Sequence, residues 1–241
     1  MPTSSALGHL LNKELDIMTN EQKLTLDIIQ WAAWAPTIET QDDWENWANK
    51  PCMTYGNEMP DVSSLPAMQR RRMNRLSRMC YSVVQQIDSS AHLPQIYCSC
   101  HGDLTRSTQL LSDLARSEPL SSTSFALSVH NAVGGAVSIL QGNTQPITSV
   151  AAGENGIRHA FYEVLSHLVE FPELILVVYE EVVPELYAIK NSPVFAYALH
   201  IKRGHSIELN FNQSAAARSP FLSELDILSQ IIQGLSTLNF K

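Results

Sequence analysis

Apolar runs of strand length alternate with amphipathic stretches of helix length along this sequence, which predicts an α/β domain in which a sheet is layered with helices. Two observations carry that expectation. LILVVYEEV (174–182) and VFAYALHIKR (194–203) are the clearest strands, joined by the short segment PELYAIKNSP. AMQRRRMNRLSRMCYSVVQQID (67–88) places Met68, Met73, Leu76, Met79, Val83, Val84 and Ile87 at helical spacing, the mark of an amphipathic helix with a basic outer face. The 241 residues, 44% hydrophobic and 17% charged, suffice for one sizeable domain or a crowded pair.

Residues 1–22 are polar and unpatterned and read as a flexible leader, leaving 23–241 as the domain. KLTLDIIQWAAWAP reads as a strand passing into a short apolar segment that Pro36 ends. Residues 37–66 are loop-rich, with one helical turn at 41–48. After the helix at 67–88, QIYCSC (95–100) has the look of a buried strand. HGDLTRSTQLLSDLAR follows as a helix with Leu104, Leu110, Leu111 and Leu114 turned inward. SSTSFALSVHNAVGGAVSILQG (121–142) begins extended and continues as a helix in which Gly134 and Gly135 allow close packing. PITSVAAGENGIRHAFYEVL (146–165) is a β-branched run, a corner of small residues, and a helix from 154 to about 169. Residues 204–218 are expected to be a polar loop, and SPFLSELDILSQIIQGLSTL (219–238) an amphipathic C-terminal helix opened by Ser219–Pro220.

Composition removes several classes of function. A formal net charge of −8 disfavours a general nucleic-acid binder. No run of about 18 apolar residues is present to span a membrane, and residues 1–20 lack the pattern of a signal peptide. Cys52, Cys80, Cys98 and Cys100 are therefore expected to be reduced thiols in a cytoplasmic protein. Cys98, Cys100 and His101 lack a second ligand pair at usable spacing, so neither a metal nor any other cofactor is expected. His130 and Asn131 are expected to form a buried, hydrogen-bonded pair. The four tryptophans, Trp31, Trp34, Trp44 and Trp47, read as core or interface anchors. Five of the ten arginines fall in the basic run Arg70, Arg71, Arg72, Arg75 and Arg78. That run is either a solvated helix face whose stems cover apolar neighbours or a docking patch for an acidic partner.

Several ordered motifs carry a family resemblance. IIQWAAWAP (28–36), DDWENWA (42–48), LPAMQRRRMNRLSRM (65–79), HGDLTR (101–106), SFALSVHNAVGGAVSI (124–139) and VAAGENGIRHAFYE (150–163) together resemble the β-ketoacyl synthase-like N-terminal domain over roughly 25–203. The resemblance is strongest to the short ketosynthase-like proteins of aryl polyene pigment clusters, which are similar to the chain-length factors of type II polyketide synthases. It implies a truncated thiolase-like fold, mainly the first half of a ketosynthase, with a mixed sheet layered with helices.

It also implies roles for particular residues. In condensing enzymes the corner between the strand and the helix at 146–165 presents a catalytic cysteine at a helix N-terminus, where the dipole lowers a thiol's pKa. Glu154 stands at the equivalent position here, and a carboxylate forms no thioester. Neither a His-Gly-Thr-Gly-Thr nor a Gly-Phe-Gly-Gly loop occurs in the sequence. The resemblance thus implies a non-catalytic subunit that pairs with a full-length ketosynthase and shapes its acyl tunnel. His101, Leu104, Thr108 and Glu154 are the implied tunnel-lining positions. Arg71, Arg72 and Arg75 are those for docking an acyl carrier protein, and Ile147, Ser149, His130 and Asn131 those for the dimer interface. Two rivals remain at this stage: a small acyltransferase or malonyl decarboxylase using Glu154 or His130, and a homodimeric scaffold that binds carrier protein.

Overall fold

The computed structural model describes residues 23–87, 92–187, 192–211 and 221–240. The expected leader, residues 1–22, lies outside them, as do 212–218 of the expected polar loop. Six strands form one sheet among the described residues: β1 (Thr25–Trp34), β2 (Gln95–Cys98), β3 (Ile147–Val150), β4 (Glu173–Glu180), β5 (Phe195–Asn210) and β6 (Thr237–Asn239). Their order is β1-β5-β4-β2-β3, with β6 pairing the far end of β5. β2 runs parallel to β3 and β4, whereas β5 runs antiparallel to β4 and β1, so the sheet is mixed as expected.

Alternation along the central strands divides the core in two. Ile96, Cys98, Leu174, Leu176, Val178, Phe195, Tyr197 and Leu199 point to one face. Tyr97, Ile175, Val177, Tyr179, Ala196 and Ala198 point to the other. Because both sets are apolar and buried, the strands read as continuous hydrophobic runs rather than alternating ones. The first face is covered by α1 (Gln41–Asn49), α7 (Gly156–Glu170) and α8 (Phe221–Ile232). The second is covered by α3 (Arg75–Gln86) and α6 (Ala132–Gln141). Trp34, Trp44 and Trp47 are buried in these two clusters, and Trp31 is partly buried against the first.

Several sequence expectations are corrected. The helix expected over 67–88 is two helices, α2 (Ala67–Arg72) and α3, separated at Met73–Asn74. Asn74 causes the break: its side-chain Oδ1 caps α3 by accepting from Ser77 N–H at 2.8 Å, and its side-chain Nδ2 donates to Asp103 at 2.8 Å. On α4 (Leu104–Ala115) only Leu110 is buried. Leu111 and Leu114 are each 59% exposed, because the helix rests on the domain along a narrow stripe. Residues 122–126, expected to be extended, form the short helix α5 (Ser122–Ala126), capped by the Ser121 hydroxyl accepting from Ser124 N–H. Residues 204–210 belong to strand β5, whose polar side chains face solvent while its backbone pairs with β1 and β6. The C-terminal helix ends at Ile232, and Thr237–Asn239 is a strand that the helical pattern concealed.

Gly134 and Gly135 differ in what they permit. A Cβ on Gly134 would lie 2.8 Å from Tyr97 Cδ2 and 3.1 Å from Ile147 Cγ2, so the absent side chain lets α6 sit directly on β2 and β3. A Cβ on Gly135 would meet open space. Gly134→Ala should therefore destabilise the fold by about 1–3 kcal/mol through overpacking. Gly135→Ala should stabilise it by up to about 1 kcal/mol through helix propensity. Urea unfolding of the two variants beside the parent checks the contrast, and equal effects would contradict it.

Candidate functional site

The three neighbouring parallel strands β3, β2 and β4 end on the same edge of the sheet, and the chemistry-bearing side chains gather there. Clefts beyond the carboxyl ends of parallel strands are the general location of ligand sites in α/β sheets. Past β2 the chain turns at Ser99–Asp103: Ser99 Oγ accepts from Gly102 N–H at 2.8 Å, and Asp103 caps α4 by accepting from Arg106 N–H. Gly102 has φ +58°, and a Cβ there would lie 2.9 Å from His130 Nδ1. A side chain at 102 would thus collide with the imidazole, which is held across the edge by a 3.1 Å hydrogen bond between Nε2 and Val150 O. Past β3 the backbone makes a single tight turn, Gly153–Asn155, opened by Gly153 at φ +57°, and enters α7. The structure thus brings His101, His130 and position 154 to one end of the sheet, as the strand-to-helix corner required.

Two residues that sequence reasoning missed lie beneath this edge. Glu180, the last residue of β4, is 1% exposed, and its carboxylate accepts from the Cys100 and His101 backbone N–H groups and the Ser99 hydroxyl. It ties down the turn that carries His101. Glu224 of α8 is 4% exposed and accepts from the backbone N–H of Ile157 in the first turn of α7. One oxygen of each carboxyl, Oε2, has no hydrogen-bond partner among the described residues. Burial raises the Glu180 carboxyl to about 8 and the Glu224 carboxyl to about 7. The charge of Glu224 reinforces the shift at Glu180. A partial signal existed in the sequence: Glu224, Leu228 and Ile231 share one helical face, so the acid sits in an apolar stripe. No pattern marks Glu180 apart from its place at the end of an otherwise apolar strand.

These environments decide which groups are reactive. Cys98 lies on the first core face, and burial, with the acids nearby, raises its thiol well above the usual range, which leaves it inert as a nucleophile. Burial lowers His101, which keeps the ring neutral near pH 7. Among the described residues no group of His, Cys, Asp and Glu could hold a metal ion, and no helix is long and apolar enough to cross a membrane.

The other site expectations meet the structure unevenly. His101, Leu104 and Thr108 are half-buried around the start of α4, and Thr108 Oγ1 donates to Leu104 O at 2.7 Å. Ile147 and Ser149 lie on β3, which pairs only with β2 and so forms a free edge of the described sheet. The expected buried pair of His130 and Asn131 is not formed: His130 is half-buried against Gly102 and Val150, and Asn131 is exposed at the start of α6. In the basic run, Arg71 and Arg72 are exposed. Arg75 instead turns inward, donating to the carbonyls of Gly56 and Glu58 and facing Glu181 at 3.5 Å. Arg78 donates to Arg70 O at 2.8 Å. The break at Asn74 is the reason, because it rotates α3 away from the face that α2 presents.

A layered α/β fold with a strand-to-helix corner at the carboxyl edge of its parallel strands is consistent with a condensing-enzyme domain, and the family comparison fixes the class. The β-ketoacyl synthase N-terminal domain family matches residues 44–239, and the chain belongs to that family. Among solved structures, a chain from the complex of the ketosynthase ApeO with its chain length factor ApeC from Xenorhabdus doucetiae is 27% identical. The match covers 88% of this chain and 93% of that one, with a TM-score of 0.75. The ishigamide ketosynthase/chain length factor shares the fold at 14% identity and a TM-score of 0.58, over 75% of this chain and 63% of that one. A β-ketoacyl synthase from Burkholderia phymatum shares it at 12% identity and a TM-score of 0.59, over 87% and 70%. Comparison with curated proteins gave no match. The chain thus has the thiolase-like fold of ketosynthases, mainly its first half.

Because folding raises both buried carboxyls, the folded chain holds protons that the unfolded chain releases. Their contribution to stability is complete below about 4.5 and is lost as pH rises through about 7 and 8. Glu180→Gln should remove on the order of 5 kcal/mol of that decline. Thermal melts across this pH range check it, and an unchanged slope in the variant would contradict the assignment.

Proposed function

We propose that the chain is a non-catalytic, chain-length-factor-like subunit. It pairs with a full-length ketosynthase and shapes the acyl tunnel in type II polyketide biosynthesis, of the aryl polyene kind. One observation carries the reading: the chain aligns almost end to end with a chain of similar length from a ketosynthase–chain length factor complex. The family resemblance would set the catalytic cysteine at the corner Gly153-Glu154-Asn155, which holds no cysteine. The buried, proton-holding thiol of Cys98 offers no substitute nucleophile, and His130 is engaged with a backbone carbonyl.

The surface supports a heterodimer. β3 presents an edge that no described strand pairs, and the segment 111–139, whose last helix packs against β3, exposes Leu111, Leu114, Phe125, Val129 and Ile139. A concentration of exposed apolar side chains of this kind marks a protein–protein surface. Ile147 and Ser149 on the edge strand, with His130 and Asn131 behind it, would face the partner ketosynthase. His101, Leu104, Thr108 and Glu154 would contribute to the tunnel wall, where side-chain volume sets how many extensions fit. Arg71 and Arg72 would meet an acidic acyl carrier protein, and the inward-turned Arg75 would hold the loop behind them.

A tagged chain co-expressed with a neighbouring ketosynthase should co-purify with it. Recovery of a homodimer alone would favour the scaffold reading. In the complex, replacing the partner's cysteine should abolish condensation, and Glu154→Cys in this chain should restore none of it. Arg71→Glu with Arg72→Glu should raise the apparent KM for carrier protein about tenfold, with a smaller change in kcat, since paired surface charges act mainly on encounter. An unchanged KM removes the docking role.

A further inference from the structure

We infer that the amino-terminal end of α7 is a carboxylate-binding site that this chain fills from within, with Glu224 of α8 as the bound carboxylate. The first turn of a helix leaves backbone N–H groups without intrahelical acceptors and carries the positive end of the macrodipole, so it takes an anion. In most helices a neighbouring side chain supplies the acceptor. Here Asn155, at the cap position of α7, makes no side-chain cap, and the carboxylate arrives from a helix much later in the chain. It accepts from Ile157 N–H and from its own backbone N–H. Its Oε1 lies 3.5 Å from the point that a Cβ on Gly156 would occupy, the same distance as Cys98 Sγ. The second oxygen, Oε2, makes no hydrogen bond among the described residues, and the residue is 4% exposed, so an ionisable group has been brought into the core to meet these N–H groups.

The surrounding structure holds α8 in place for it. Tyr197 donates its hydroxyl to Glu224 O at 3.1 Å. Arg158, next to Ile157 on α7, donates to Phe240 O at 2.9 Å, and the Phe161 and Phe240 rings meet edge to face at 4.9 Å. The segment from α8 through β6 is therefore fastened to α7 beside the carboxylate as well as through it. With Glu224 seated, the first turn of α7 has a carboxyl against it already, and a ligand carboxylate would compete with it there. This site does not depend on which partner the chain has.

The test is chemical rescue of the isolated chain. Glu224→Ala leaves a cavity of carboxylate shape at the helix end, so its melting temperature should fall below that of the parent. Sodium acetate should recover at least half of the loss, whereas sodium chloride at equal ionic strength recovers none. The parent and Glu224→Gln should show no acetate response. A Glu224→Ala variant that melts with the parent, or acetate stabilisation equal in all three proteins, overturns the inference. A second measurement covers the case in which Glu224→Ala does not fold. The Ile157 amide resonance should move with pH in the parent as the bonded carboxyl titrates, and stay still in Glu224→Gln. An Ile157 resonance that is equally unresponsive in both overturns the inference. Neither result bears on co-purification with a ketosynthase, so this inference and the subunit reading fail separately.

Discussion

A sheet that is apolar on both faces must be covered on both, and that requirement organises the rest of this domain. β4 and β5 carry aromatic and branched side chains alternately to either side, so neither face can be left to water. At about 25 cal/mol per Å² of apolar surface, exposing either would cost far more than the marginal stability of a domain. α3 and α6 cover one side. On the other, α7 covers only part, and α8 with α1 completes the layer. The C-terminal segment is therefore a structural part of the first core, as the apolar stripe of its helix requires.

The same layer creates the unusual electrostatics. Packing α8 against α7 sets an acid of one helix at the positive end of the other. Glu180 comes to lie beneath the neighbouring turn because β4 ends there. Among the described residues neither acid is paired with a cation, and both hold protons through a range in which exposed carboxyls are ionised. The carboxyl edge of the parallel strands is thus rigidly wired beneath His101 and His130. The same burial keeps the Cys98 thiol protonated.

Much of this could be read in the sequence, for identifiable reasons. The strands at 174–180 and 195–203 and the helix after Gly153 are long, strongly patterned and bounded by turn residues. The family match rests on several ordered motifs, and it agrees with the fold. What escaped depended on contacts between distant residues. Asn74 splits a continuous helical pattern because Asp103 and Ser77 engage its side chain. Leu111 and Leu114 keep helical spacing on a helix that buries only a narrow stripe. Thr237–Asn239 is a strand because β5 offers it an edge. Arg75 belonged by spacing to a basic face, and the Asn74 break turned it toward the carbonyls of Gly56 and Glu58. Glu180 and Glu224 were hidden because a sequence records an acid without recording its burial.

The shortness of β3 bears on selectivity. Four residues of edge strand span about 13 Å and offer a partner only a few backbone hydrogen bonds, each worth about 0.5–1.5 kcal/mol net. Backbone groups are also the same in every protein, so an edge of this length neither binds tightly nor tells one strand from another. Under the proposed pairing with a ketosynthase, discrimination between related partners falls to the side chains around the edge. The exposed leucines, Phe125 and Ile139 on the 111–139 segment are where the surface of a chosen partner and that of a rejected one would differ.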